Sequence, residues 1–209
     1  MIDLPRLLAF TDDRIGALPD LDRRAAAISQ AGAQVALVAR LPAATTDALA
    51  TLALRFVSVS ADAGAGVFVT GRADVAVATG AHGVILRDSD LPVRALTWTG
   101  QGPAGRRFWR LRSVHSEAEA VQAVADGADA LIAGTIWASP THPERTPAGT
   151  GFLSRVAALG VPAYAIGGIT LETARQAASA GAFGVAAIRS VWDAADPAGT
   201  VKEMVAPWN

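Results

Sequence analysis

Eight short apolar runs, nearly all followed by an Ala-rich helical pattern, limit what this 209-residue chain can fold into. The runs are Leu7–Thr11, Gln34–Arg40, Val67–Gly71, Gly83–Leu86, Arg107–Arg112, Ala130–Gly134, Ala163–Gly167 and Gly184–Ile188. Helical patterns fall at Asp20–Ala31, Thr45–Ala61, Arg72–Thr79, Ser116–Asp126, Gly151–Ala158, Leu171–Ala180 and Pro197–Val205. Between the fourth and fifth runs, Leu91–Gly105 holds Pro92, Gly100, Gly102, Pro103 and Gly105, so a helix there is short or missing. Alternation of this kind builds βαβ units and a parallel sheet. Runs that are apolar throughout fit a sheet covered on both faces. Pairs of Gly and Ala recur ahead of strands, at Gly32-Ala33, Gly80-Ala81, Gly127-Ala128 and Gly181-Ala182, and each reads as a helix C-cap leading into a strand. Eight units predict a closed α/β fold, the (β/α)8 TIM barrel, as a single domain over 1–209. A flavodoxin-like open sheet would leave about three units without a place.

Composition narrows the function classes. The net charge is −1, and Lys202 is the one lysine, so arginine carries the other positive charges. No basic cluster suggests nucleic acid. The absence of Cys excludes disulfides, thiolate metal sites and a Cys nucleophile. The first residues lack the basic and apolar regions of a signal peptide, and no stretch approaches an uncharged membrane span. A cytoplasmic, soluble protein is the expectation, with neither nucleic acid nor membrane as partner.

In such a barrel, chemistry sits at the C-terminal strand ends, and position alone places Arg87, Asp88 and Asp90 after the fourth strand among the polar residues there. The strongest local signal is Ala165-Ile166-Gly167-Gly168-Ile169-Thr170. Two glycines leave backbone N–H groups uncovered, and a helix starts at once, which is an arrangement that holds an anion. Ile188 and Arg189 would add donors beside it. The plainer reading is a tight strand-to-helix turn. His115, just past the fifth strand, has a side chain suited to proton transfer; packing against the fifth helix is the equal alternative. Arg40, ending the second strand, is either an anion clamp or a partner of Asp12 or Asp13. His142 lies in a Pro/Thr-rich loop that could close over a ligand, and His82 belongs to the opposite face. Ser116 with Glu119 has capping-box spacing, and Thr170 reads as an N-cap. No His pair has metal-ligand spacing, while an Asp-only site for a hard cation stays open.

Taken in order, these motifs resemble the thiamine phosphate synthase/TenI superfamily over nearly the whole chain. The residues are Phe10-Thr11-Asp12-Asp13, Thr70-Gly71-Arg72-Ala73-Asp74, Gly83-Val84-Ile85-Leu86, Arg112-Ser113-Val114-His115-Ser116 and Ala165-Ile166-Gly167-Gly168-Ile169. The synthases join a pyrimidine diphosphate to a thiazole phosphate, with Mg²⁺ held by carboxylates. Their Gln-Arg-Lys pattern after the second strand keeps only Arg40 here, with Val38 and Pro42 at the other places. Their Asn-Asp-Arg becomes Thr70-Gly71-Arg72, so one metal carboxylate is missing, and Asp90 remains at the other metal position. Their Lys after the sixth strand is replaced by His142. The TenI-like thiazole tautomerases share the Gly at position 71 and the Arg112–Ser116 sequence.

The resemblance therefore implies an isomerase. His115 would move a proton on a carboxythiazole phosphate, the small-molecule partner. Gly167, Gly168, Ile188 and Arg189 would hold its phosphate. Arg40, Thr70, Ser113, Thr135 and His142 would line its ring and carboxylate. No cofactor and no metal are expected, and a homo-oligomer is possible. Two alternatives stand: a Mg²⁺-dependent thiamine phosphate synthase, and a non-catalytic barrel that binds a thiazole or thiamine phosphate and regulates.

Overall fold

The computed structural model describes residues 3–97, 107–139 and 145–209. Eight parallel strands pair in sequence order and close on themselves. They are β1 (Leu7–Phe10), β2 (Val35–Ala39), β3 (Gly66–Thr70), β4 (Gly83–Leu86), β5 (Trp109–Val114), β6 (Ala130–Gly134), β7 (Ala163–Ile166) and β8 (Gly184–Ala187). β1 sits between β2 and β8, in register Leu7↔Val35 and Leu7↔Val185. The expected TIM barrel is therefore the fold of this chain.

The helices are α1 (Asp13–Gly16), α2 (Leu21–Ser29), α3 (Thr46–Ser60), α4 (Ala73–Ala78), α5 (Glu117–Ala125), α6 (Gly149–Ala157), α7 (Leu171–Ser179), α8 (Arg189–Trp192) and α9 (Pro197–Val205). Among the described residues the β4–β5 connection has no α-helix and includes the 3-10 turn Val93–Ala95, in keeping with its Pro and Gly content. α1 and α8 are one-turn helices too short to show a periodic pattern. α1 still carries a cap, since the Asp12 carboxylate accepts from the Ile15 amide at 2.8 Å.

Strand pleating sends alternate side chains to opposite faces. Leu8, Phe10, Val38, Phe68, Ile85, Leu111, Ile132 and Tyr164 fill the barrel. Leu7, Ala9, Leu37, Val67, Val69, Val84, Leu131 and Val185 pack outward against the helices. At the N-terminal end, the Tyr164 hydroxyl donates to the Pro5 carbonyl at 2.6 Å, and its ring meets Phe183 edge-on. Burial pushes the phenol pKa far above its ordinary value. His82 lies at this same end, its Nδ1 accepting from the Val67 amide at 3.0 Å.

One strand differs from expectation. β5 begins at Trp109 rather than Arg107, because Trp109 N donates to His82 O and Arg110 N to the Asp129 carboxylate. Ser113, expected beyond the strand, therefore lies within it.

Large rings inside the barrel require small neighbours. A Cβ at Gly184 would lie 2.3 Å from the Arg6 carbonyl oxygen and 2.9 Å from Tyr164 Cε1. Gly184→Ala is expected to cost about 1–3 kcal/mol of stability through overpacking. A lowered midpoint in urea denaturation would verify this, and an unchanged midpoint would refute it.

Candidate active site

The C-terminal strand ends surround a cavity of about 500 Å³. Its walls include Arg40, Thr70, Ser113, His115 and Thr135, together with Gly167, Gly168, Ile188 and Arg189. The structure thus brings together all the expected site residues except His142, which lies outside the described residues. Arg87, placed at this rim by its position after the fourth strand, lines the same cavity, and so does Arg145, which was not expected there.

Thr11 sets the position of Arg40. Its buried hydroxyl accepts from Arg40 N at 3.0 Å and donates to Arg40 O at 2.9 Å. These bonds tie the end of β1 to the end of β2. The alternative partners of Arg40 are engaged elsewhere: Asp12 caps α1, and Asp13 accepts from Ala43 N. No ion pair links Arg40 to them. Burial pulls the Arg40 pKa below its ordinary value, against the charge of Asp12; the charge of Arg87 acts with burial, and that of Asp13 against it. A guanidinium in that setting still carries its charge.

The two glycines after β7 have the left-handed backbone their sequence suggested, with φ of 97° at Gly167 and 65° at Gly168. They also pack tightly. A Cβ at Gly167 would meet Thr135 Cγ2 at 2.4 Å, and one at Gly168 would meet the Ala138 carbonyl at 2.5 Å. The turn therefore has a structural need for glycine whether or not it meets an anion. Thr170 then caps α7 by accepting from Thr173 N at 3.2 Å, and the Thr173 hydroxyl completes a capping box. Beside this turn α8 begins after Ile188, and the first amides of a helix have no intrahelical acceptor.

His115 is anchored by its backbone and its ring. Its amide donates to Glu119 at 2.8 Å, so the α5 capping carboxylate reaches back past Ser116. Its Nδ1 lies against the Gly134 carbonyl, which fixes Nδ1 as the protonated nitrogen. Arg145 Nη1 stands 3.1 Å from Nδ1 and 3.2 Å from Nε2, nearly equidistant, so it faces the ring rather than one lone pair. The imidazole is held between a carbonyl and a cation.

Arg87 and Asp90 form a tight pair. Asp90 accepts from Arg87 N at 2.7 Å, Nε at 3.1 Å and Nη2 at 2.9 Å. That hydrogen bonding pushes the Arg87 pKa up, with burial opposing it. The resemblance to synthases implies a divalent cation near positions 71 and 90, and these residues do not fit one. Position 71 is glycine, the Asp90 carboxylate is taken by a guanidinium, and no group of three His, Asp or Glu suits a metal among the described residues.

A family model described as thiamine monophosphate synthase matches residues 7–191. The chain belongs to this family. A thiamine-phosphate synthase of Salinispora arenicola is 37% identical over 201 residues, covering 95% of this chain and 94% of its own. One from Gloeobacter violaceus is 39% identical over 161 residues, 75% of this chain, which spans only 45% of that longer relative. A solved thiamine phosphate pyrophosphorylase from Pyrococcus furiosus superposes with a TM-score of 0.79 at 25% identity, covering 97% of this chain and 95% of that one. These relatives overturn the expected isomerase: they carry the synthase name. A tautomerase needs one phosphate site, whereas this cavity has arginines on several walls.

Two threonines give opposite expectations. Thr70 Oγ1 is buried with no hydrogen-bond partner among the described residues. Thr70→Val should leave the melting temperature unchanged or raise it, because it removes an unpaired polar group. Thr11→Val strips the Arg40 amide of its acceptor and should cost about 1–3 kcal/mol. Thermal unfolding of the two variants side by side checks both; equal losses would contradict the hydrogen-bond assignment.

Proposed function

We propose that the chain is a thiamine-phosphate synthase, a transferase that joins a hydroxymethylpyrimidine diphosphate to a thiazole phosphate with loss of diphosphate. The observation that carries this reading is the charge layout of the cavity. Arg40 follows β2, Arg87 follows β4, Arg145 belongs to the loop after β6, and Arg189 follows β8. One guanidinium thus comes from each even-numbered strand, and strands β4 and β8 are opposite in an eight-membered ring. Two anionic groups on separate walls match two phosphorylated substrates better than one. Relatives bearing the synthase name, similar over nearly the full length of both chains, support the same reading.

In this reading, the thiazole phosphate rests on Gly167, Gly168, Ile188 and Arg189, where backbone donors and a cation coincide. Arg40 faces the diphosphate. The thiazole nitrogen lone pair bonds the pyrimidine methylene carbon as that carbon's bond to the diphosphate oxygen breaks; the diphosphate leaves with the electron pair, and its growing charge is stabilised by fixed guanidiniums. Thr70, Ser113 and Thr135 supply hydrogen bonds to the rings. His115 is a positioning residue, holding Arg145 against the cavity.

Incubation of the protein with both substrates should yield thiamine phosphate and diphosphate. Arg40→Gln should lower kcat/KM by about 100-fold, the size seen when one fixed transition-state donor is lost. Absence of thiamine phosphate from the wild-type reaction would defeat the synthase reading.

A further inference from the structure

The Arg87–Asp90 pair occupies space that Gly71 makes available. Gly71 has φ of 76°, and a Cβ there would lie 2.9 Å from Arg87 Nη2 and 3.3 Å from Asp90 Oδ2. A carboxylate at position 71 could not coexist with the pair as it stands. Asp90 is only 11% exposed, and its three hydrogen-bond donors among the described residues all come from Arg87. Its charge is therefore spent inside the protein. Arg87 is 51% exposed, lines the cavity and uses Nε and Nη2 on Asp90, and its Nη1 makes no hydrogen bond among the described residues. Arg40, on the same cavity, makes no side-chain hydrogen bond or ion pair among the described residues, and the two like charges act on each other. Asp88 is the one carboxylate residue lining the cavity among the described residues, against Arg40, Arg87, Arg145 and Arg189, and such an excess of cations is arranged for an anion.

We infer that Arg87, clamped by Asp90 in the space Gly71 leaves open, binds an organic diphosphate directly beside Arg40, with no divalent cation in between. The identity of that ligand rests on the synthase reading; the cation assignment rests on the geometry. Asp90 holds the guanidinium plane in place, as a second carboxylate would hold a metal. A planar guanidinium can bond two phosphate oxygens at once and needs no loading from solution.

Calorimetric titration of the whole chain with inorganic diphosphate provides the test, once in excess EDTA and once in excess Mg²⁺. The expected result is binding in EDTA, with Mg²⁺ changing the affinity by less than about threefold. Arg87→Gln should weaken the EDTA titration by about tenfold or more, as loss of a charge-assisted bidentate contact implies. Gly71→Asp, at a left-handed position that Asp tolerates better than most residues, should displace Arg87 and also weaken binding in EDTA. Binding that appears only with Mg²⁺ would overturn the inference, and so would an Arg87→Gln affinity equal to wild type. The wild-type comparison decides the matter even if a variant fails to fold. If metal-free, Arg87-dependent binding is found but no thiamine phosphate forms, the synthase reading falls and the Arg87 assignment stands. If thiamine phosphate forms but diphosphate binding requires Mg²⁺, the Arg87 assignment falls alone.

Discussion

Closure of the sheet is the constraint on which the other features depend. With β1 hydrogen-bonded to both β2 and β8, no strand edge is left to pair with anything else. The interior is then filled by aliphatic side chains and the rings of Phe10, Phe68 and Tyr164, which makes the barrel a solid core rather than a channel. What remains for chemistry is the rim where eight strands end. The Thr11 hydroxyl belongs to both parts of this arrangement: it stitches two strand ends together and fixes the backbone from which Arg40 reaches the cavity.

That rim is dominated by guanidiniums. Arg40 is half-buried, where a charge is costly to hold without a partner. Arg87 has a partner in Asp90, and Arg145 lies against an imidazole. The cavity lining thus carries four arginines and one carboxylate residue, Asp88, among the described residues. In the proposed synthase, the free-energy cost of that excess would be returned on binding of phosphates, because fixed donors need no rearrangement at that moment. An isomerase acting on one phosphate ester would have little use for so many.

The barrel was legible in the sequence because its signals are local and repeated: an apolar run marks each unit, and capping residues and Gly-Ala pairs mark several of them. Much of the rim was legible too, since residues ending a strand must face it; Arg40, His115 and the Gly167-Gly168 turn all line the cavity. The Arg87–Asp90 pairing and the presence of Arg145 were missed for a common reason. The place of Arg87 depends on Gly71, sixteen positions earlier, lacking a side chain, and Arg145 meets His115 across thirty residues. Neither relation leaves a pattern along the chain. The start of β5 was misjudged because Arg107 and Phe108 read as strand, while Trp109 and Arg110 make the backbone bonds that begin it. The function was misread by giving weight to the missing metal ligand and the shared Arg112–Ser116 sequence; what the chain carries in place of the ligand became visible only in three dimensions.

The cations of the rim are all arginines, and the one lysine, Lys202, is exposed on α9, a helix on the outside of the barrel. An amine-reactive reagent or an acetylating enzyme could therefore modify the only lysine of this chain without touching the cavity. Neither would a change of pH within the physiological range discharge these groups. Ionic strength is left as the ordinary variable to which capture of a charged ligand should respond, since salt weakens the attraction of exposed guanidiniums for phosphates.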